Sequence, residues 1–238
     1  MSNHLSPLSG SRQKVARAIR HLTELEKATD DYFKTDWYEV QLTQCAPDDE
    51  LDFTIHTTIK GRPLYFSEAV GDIVHNLRAA LDLMSVSVVA ANNANTKGVL
   101  FPFCDDPSFL DQIIKQRNFH RASPEAVNEI KKLKPFKGGN IALRALHDLD
   151  IQDKHHSLVP AAKQVTTPEI GVVTDANGNP LGFAEGKLQL EIKGSDRPTV
   201  VFVFPDDGPL AQQPIIPTLH ELVKLVSGIL DTFEAIIS

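Results

Sequence analysis

The chain has 238 residues, of which 42% are hydrophobic and 23% are charged, a composition typical of a globular protein with a sizeable core. Its first residues lack the apolar stretch of a secretory signal, and no segment approaches the roughly 18 uncharged apolar residues of a membrane span. The two cysteines, Cys45 and Cys104, lie far apart and support neither a disulfide framework nor a cysteine zinc site. We therefore expect a cytoplasmic protein without a membrane partner.

The net charge of −7 argues against general affinity for nucleic acid, and no DNA partner is expected. The charge is uneven, because residues 115–137 carry seven basic and two acidic side chains, a net +5 that leaves −12 for the rest. Such a segment is typical of a solvated helix face. The alternative is a local surface for a small anion or for a specific partner.

In chain order, the apolar spacing predicts an amphipathic helix over residues 11–33, followed by a hairpin of strands at 37–43 and 51–59. A long helix is predicted from Ser67, as its N-cap, to about residue 91. This helix is apolar on two sides, which is typical of a helix at the centre of a bundle.

The remaining predicted elements are shorter until the last helix. They are helices at 108–116, at 124–134 after an N-cap at Ser123, and at 141–156 after an N-cap at Asn140; strands at 170–174, 187–192 and 199–204; and a helix at 218–236. Helices followed by strands without β-α-β alternation indicate an α+β fold. We expect one domain, a mainly helical bundle with a helical core over about 67–160 and a small antiparallel sheet from the N- and C-terminal segments. The outer side of the last helix is a candidate homodimer contact.

A first group of polar residues lies on one arc of the long helix, beside its apolar stripe. The arc holds Gly71, His75, Arg78 and Asp82 at helical spacing. Charges next to a buried face need partners, and Arg78 and Asp82 form an i,i+4 pair. One interpretation is an ion-pair network that holds the bundle together. The other is a site in which Arg78 binds an anion and His75 or Asp82 transfers a proton.

A second group is the segment 144–156, with eight charged or imidazole groups in thirteen positions. One side of the predicted helix holds Arg144, Asp148 and His155, and another holds His147, Asp150 and Lys154. The H-E-x-x-H and E-x-x-H spacings are absent, so no metal or other cofactor is predicted, and a metal site would need a ligand from elsewhere, most plausibly His75. The open alternatives are such a metal site, an arginine/histidine site of the ribonuclease kind, using His147 or His155, and an ordinary helix end.

The loop that enters this last helix is a candidate anion cradle. Two glycines expose backbone N–H groups at a helix N-terminus, and two lysines add positive charge. The alternative is a plain turn. The candidate anion-binding residues are Lys134, Lys137, Gly138, Gly139, Asn140 and Arg144.

Four motifs resemble those of a family of uncharacterised bacterial proteins. They are G-D-I-V-H-N-L-R-A-A-L-D at residues 71–82, F-P-F at 101–103, L-K-P-F-K-G-G-N at 133–140 and L-x-x-L-H-x-L-x-x-x-D-K-H at 143–155. The resemblance covers about the middle 90 residues. It implies a helical module that makes up a whole domain, and it implies no activity.

The chain is also similar, more weakly, to HEPN-type helical domains, many of which are ribonucleases of toxin or phage-defence systems. Their R-x4-6-H motif would begin at Arg78, but Leu83 and Ser85 stand where a histidine is needed. The histidine would have to be His75, His147 or His155.

Two functions follow from these patterns. The first is a binding or structural module with a buried polar or anion pocket for a small anion or another small molecule. The alternative is a hydrolase, either metal-dependent or a HEPN-like ribonuclease acting on RNA through His75, Arg78, Asp82, His147 and His155. The hydrolase requires these residues to converge in one accessible cleft.

Overall fold

The computed structural model describes residues 6–44, 53–61, 66–155, 161–166, 170–172, 190–192, 199–206 and 208–238. The helices are α1 (Ser9–Phe33), α2 (Phe66–Ala91), α3 (Leu110–Gln116), α4 (Pro124–Leu133), α5 (Ile141–His155) and α6 (Ile215–Ile237). The strands are β1 (Tyr38–Gln44), β2 (Phe53–Ile59), β3 (Ala161–Thr166), β4 (Ile170–Val172), β5 (Leu190–Ile192) and β6 (Thr199–Val203). The predicted class, a mainly helical α+β fold, is confirmed.

Helix α2 is the centre of the bundle and packs against α1, α5 and α6. Its apolar stripe from Val70 to Val88 is buried, as the sequence predicts, whereas on the second apolar side Leu83 is 39% exposed. By length and composition α2 could cross a membrane, but 56% of its most apolar window is buried inside the fold, which is consistent with the core helix of a soluble protein.

The predicted N-cap of α2 is wrong. The helix begins at Phe66, and Ser67 lies within its first turn with a buried hydroxyl that has no hydrogen-bond partner among the described residues. Phe66 is 1% exposed, and its ring lies 4.9 Å from that of Phe202. Burial of this ring favours a helix that already includes Phe66.

The described strands form three separate two-stranded antiparallel sheets. The predicted hairpin is present, with β1 paired to β2 from Tyr38 opposite Ile59 to Gln44 opposite Phe53. The described strands of the N-terminal segment, β1 and β2, pair with each other. In the C-terminal segment β3 pairs with β6 and β4 with β5. Parts of three predicted strands, residues 51–52, 173–174 and 187–189, lie outside the described residues.

Strand β3 is absent from the sequence-based prediction. Its sequence, A-A-K-Q-V-T, carries only one β-branched apolar residue. It pairs with β6, whose Phe202 is 5% exposed and packs on the ring of Phe33. The partner strand supplies the apolar side chains, and strand preference depends strongly on such context.

The N-caps of α4 and α5 are confirmed. Ser123 Oγ accepts a hydrogen bond from Ala126 N at 3.2 Å, and Asn140 Oδ1 accepts one from Leu143 N at 3.0 Å. Each bond satisfies one of the N–H groups that a helix start leaves without a partner. The Asn140 cap fixes where α5 begins, and therefore which of its side chains face α2.

Gly71 of α2 lies next to the end of an α5 side chain. A Cβ atom added to Gly71 would lie 2.5 Å from both carboxylate oxygens of Asp153. A larger residue at position 71 therefore requires the Asp153 side chain to move. Gly228 in α6 is the opposite case, because a Cβ there would meet no heavy atom within 4 Å.

The two glycines provide a matched test of this contact. Gly228→Ala is expected to stabilise the protein by about 1 kcal/mol, since alanine is the better helix former in an exposed helix interior. Gly71→Ala gains the same preference but displaces the Asp153 carboxylate, which offsets that gain, so it is expected to leave the stability unchanged or to lower it by up to about 1 kcal/mol. The measurement is the free energy of unfolding in urea. Equal stabilisation by both substitutions would contradict the close contact.

Candidate functional site

The two predicted polar groups meet along the α2–α5 contact. Where the two helices touch, the residue numbers rise along α2 by three or four at a time while those of their α5 partners fall by three. The two helices therefore run antiparallel there. The pairs that meet are Gly71 with Asp153, His75 with Asp150, and Arg78 with His147. We call His75, Arg78, Asp82, His147 and Asp150 the polar strip.

Arg78 is the most deeply placed cation of the polar strip, at 9% exposure. Its Nη1 lies 2.7 Å from Oδ2 of Asp82, an ion pair whose angles do not make a hydrogen bond, so this buried Nη1 has no hydrogen-bond partner among the described residues. The guanidinium carbon lies 4.7 Å from the ring centre of Phe103. Asp82 itself is held by the backbone, because its Oδ1 accepts from Phe101 N at 2.8 Å.

His147 is a neutral imidazole in this setting. Its Nδ1 accepts a hydrogen bond from Nε of Arg78 at 3.4 Å, and its ring stacks on Phe103 with 4.4 Å between centres and 4° between planes. Burial, and then the charges of Arg78 and Arg144, lower the pKa of His147 to about 4. With Nδ1 as the acceptor, the proton of the neutral ring is on Nε2, which can act as a donor.

His75 has a different environment. Its Nδ1 lies 3.0 Å from Oδ1 of Asp150, whose side chain is 6% exposed, whereas the His75 side chain is 54% exposed. A buried carboxylate at Nδ1 keeps the proton of the neutral ring on that nitrogen and fixes the ring orientation. Nε2 of His75 then presents its lone pair, and no described residue hydrogen-bonds it.

Arg144 forms a separate cluster beside the polar strip. Its Nε and Nη2 bind both carboxylate oxygens of Asp148, at 3.1 and 2.6 Å, and Nη1 donates to the Cys104 carbonyl at 2.8 Å. Asp105 also contacts Arg144, and a hydrogen bond from Lys137, followed by the charge of Arg144, lowers the pKa of Asp105. Because Arg144 has a described partner for each nitrogen, its role here is to hold residues 104–105 against α5.

The predicted anion cradle is largely occupied by its own backbone. Gly139 N donates to the Phe136 carbonyl and Asn140 N to the Lys134 carbonyl, both at 2.9 Å. A Cβ on Gly139 would lie 2.4 Å from that Lys134 oxygen, and Gly138 has a φ of +80°, so both glycines are required by the turn. These hydrogen bonds direct two of the amides inward, and anion binding by the loop stays a prediction.

The structure brings together four of the five predicted catalytic residues: His75, Arg78, Asp82 and His147. The fifth, His155, ends α5, and its side chain lies outside the described residues. Sequence reasoning missed the roles of Phe103 and Asp150. The F-P-F motif includes Phe103 but does not by itself indicate a role for this ring. Asp150 lies on the predicted stripe of His147, and its partner His75 belongs to another helix.

Within the described part of the chain, no group of three or more histidine, cysteine, aspartate or glutamate side chains is placed to hold a metal ion. Comparison with known proteins adds no relative, since no family model, no curated protein and no solved structure matches the chain. The function must therefore be argued from the polar strip itself.

The neutral state of His147 predicts a pH dependence of stability. An unfolded chain binds a proton on histidine at pH about 6.5, whereas folded His147 does so only at about 4. The unfolded state therefore binds more protons between these values, and stability is expected to fall as the pH drops from 6.5 to 4. His147→Gln should flatten this part of the profile of unfolding free energy against pH, and His220→Gln, at an exposed pair with Glu26, should not.

A direct check is the NMR titration of the His147 ring, which should titrate near 4 and show Nδ1 as the unprotonated nitrogen. A ring that titrates like an exposed histidine would contradict its burial against Phe103 and Arg78.

Proposed function

We propose that the protein is a small-molecule binding module whose polar strip holds an acceptor oxygen of its ligand. The observation that carries the proposal is Nη1 of Arg78, a buried guanidinium nitrogen that contacts Asp82 at 2.7 Å but makes no hydrogen bond among the described residues. A buried donor without a hydrogen bond costs about 1–3 kcal/mol, of which the ion pair with Asp82 recovers a part. A ligand oxygen that accepts a hydrogen bond from Nη1 would recover the rest of this energy. Buried polar groups in folded proteins nearly always have a hydrogen-bond partner, so an exception points to a role beyond stability.

His147 supports the same assignment. Its Nε2–H is a second donor beside Arg78, because Nδ1 of the ring is already the acceptor for Nε of that arginine. Phe103 lies against both groups and limits their freedom to turn away. Two donors fixed in orientation before binding lose little entropy when a ligand arrives.

The charges of the polar strip narrow the ligand class. Arg78 is matched by Asp82, and Asp150 adds a second carboxylate beside His75. The polar strip thus holds two carboxylates against one guanidinium, so a phosphate dianion would meet more negative than positive charge. A neutral carbonyl group or a single carboxylate is the better ligand. The expectation of a small anion is thereby restricted to carboxylates. The cysteine usage and the motif resemblance favour a cytoplasmic protein of bacterial origin.

The HEPN-like ribonuclease is the second candidate. Its supporting observation is the 3.4 Å contact of Arg78 and His147, which joins from two helices the residue types that the R-x4-6-H motif carries on one. The neighbouring carboxylates Asp82 and Asp150 oppose the binding of an RNA phosphate.

The test is an NMR titration that follows the Nε–H signal of Arg78 and the ring signals of His147. Sodium acetate and acetamide are expected to shift both sets of signals with saturation, and inorganic phosphate at equal ionic strength is expected to shift them less. Arg78→Lys keeps the charge but loses the planar guanidinium, so acetate and acetamide should no longer shift the ring signals of His147. Arg117→Lys, at an exposed arginine of α3's end, is the matched control and should leave it intact.

Three results would count against the proposal. The first is that neither acetate nor acetamide perturbs the two sets of signals. The second is that Arg117→Lys weakens binding as much as Arg78→Lys. The third, binding of a single-stranded RNA that depends on Arg78 and is tighter than that of acetate, would favour the ribonuclease instead.

A further inference from the structure

The His75–Asp150 pair differs from an ordinary surface ion pair. Asp150 is 4% exposed and His75 is exposed, so a buried carboxylate positions an accessible imidazole. The described His220–Glu26 pair provides the contrast, because both of its members are exposed, at 54% and 38% of their side chains. A carboxylate that fixes the Nδ1–H tautomer of a histidine is the arrangement that prepares Nε2 to accept a proton.

The base and the two donors lie on neighbouring turns. His75 and Arg78 are three residues apart on α2, and Asp150 and His147 are three residues apart on α5, so the members of each pair are neighbours on one helix face. The donors are Nη1 of Arg78, which has no hydrogen bond among the described residues, and Nε2–H of His147. A proton acceptor one helical turn from two donors is the combination of groups that a hydrolytic site needs.

No amino-acid nucleophile is placed at this site among the described residues. Cys104 is buried, its Sγ donates to the Asp106 carbonyl at 3.4 Å, and burial raises the pKa of its thiol. Ser85 is fully buried and donates to the Leu81 carbonyl. No described serine, threonine or cysteine contacts His75, so the attacking group has to be water.

We infer that the polar strip is a general-base hydrolytic site, in which His75, positioned by Asp150, activates water against a carbonyl carbon whose oxygen is held by Arg78 and His147. The substrate class is a carboxylic ester or a similarly activated acyl compound. This inference rests on the proposed binding function and goes beyond it, since binding needs only the two donors.

The reaction balances without a metal or a redox partner. Nε2 of His75 takes a proton from water while the water oxygen forms a bond to the carbonyl carbon, and the carbonyl π electrons move onto the oxygen that Arg78 and His147 hold. The C–O bond to the leaving alcohol then breaks, and the alcohol oxygen takes the proton from the His75 imidazolium. The products are one carboxylic acid and one alcohol. His75 is the catalytic residue, and Asp150 is a positioning residue.

The test measures the hydrolysis of p-nitrophenyl acetate by the full chain. His75→Asn is expected to reduce kcat/KM by roughly 10²-fold, as for the loss of a general base. His220→Asn, at an equally exposed histidine with a carboxylate partner, should leave the rate unchanged. Asp150→Asn should lower kcat while KM is kept, because the carboxylate acts only through His75. Circular dichroism melting of each variant reports whether it folds.

Two further readouts separate the mechanism from simple imidazole chemistry. Water activation predicts a solvent deuterium isotope effect on kcat and no accumulating acyl-imidazole. A burst of acylated His75 without an isotope effect would mean direct attack by the ring and would overturn the inference. So would a wild-type rate no higher than that of free imidazole at equal concentration, or equal losses in His75→Asn and His220→Asn.

Failure of the inference is distinguishable from failure of the binding function. The NMR titration with acetate is expected to be retained in His75→Asn, because Arg78 and His147 remain. Acetate binding without ester hydrolysis would overturn the catalytic step and leave the binding module. Cleavage of single-stranded RNA that depends on His75, without ester hydrolysis, would overturn the carbonyl substrate class.

Discussion

The antiparallel packing of α5 on α2 sets the geometry of the polar strip. Two side-chain contacts join the helices there, 3.0 Å from His75 Nδ1 to Asp150 and 3.4 Å from Arg78 Nε to His147 Nδ1. A separation of one ångström would break both of them. Gly71 leaves room at the same contact for the end of the Asp153 side chain, since a Cβ there would lie 2.5 Å from its carboxylate oxygens. The polar strip therefore depends on how closely these two helices pack.

The same packing creates an arginine whose guanidinium is not fully hydrogen-bonded by the described residues. Arg78 is desolvated between α2, α5 and Phe103, and Nη1 contacts Asp82 at 2.7 Å, yet no hydrogen bond of Nη1 is found in the described part of the chain. Arg144, equally buried, has a described partner for every nitrogen and holds residues 104–105 in place. The contrast between two arginines of equal burial distinguishes a structural cation from one that can receive a ligand.

Much of the site could be predicted from one helix at a time. Helical spacing placed His75, Arg78 and Asp82 on one arc, and it placed Asp148 within reach of Arg144, as the structure confirms. The role of Phe103 could not be predicted, because an F-P-F segment is equally compatible with a plain core contact. Strand β3 was missed for a similar reason, since its apolar partners belong to β6. In each case the deciding interaction crosses a long stretch of chain.

The sequence by itself determined the helices, their caps at Ser123 and Asn140, and the i,i+4 ion pairs, because these depend on residues within a few positions of each other. Only the tertiary structure decided that His75 pairs with Asp150 and that His147 is buried against Arg78 and therefore neutral. Those outcomes require the antiparallel register of α2 and α5. The partners are 69 residues apart in the chain for Arg78 and His147, and 75 for His75 and Asp150, so local sequence patterns do not show that they meet. Local patterns fix which groups share a face, and desolvation and proximity between faces fix their protonation and their chemistry.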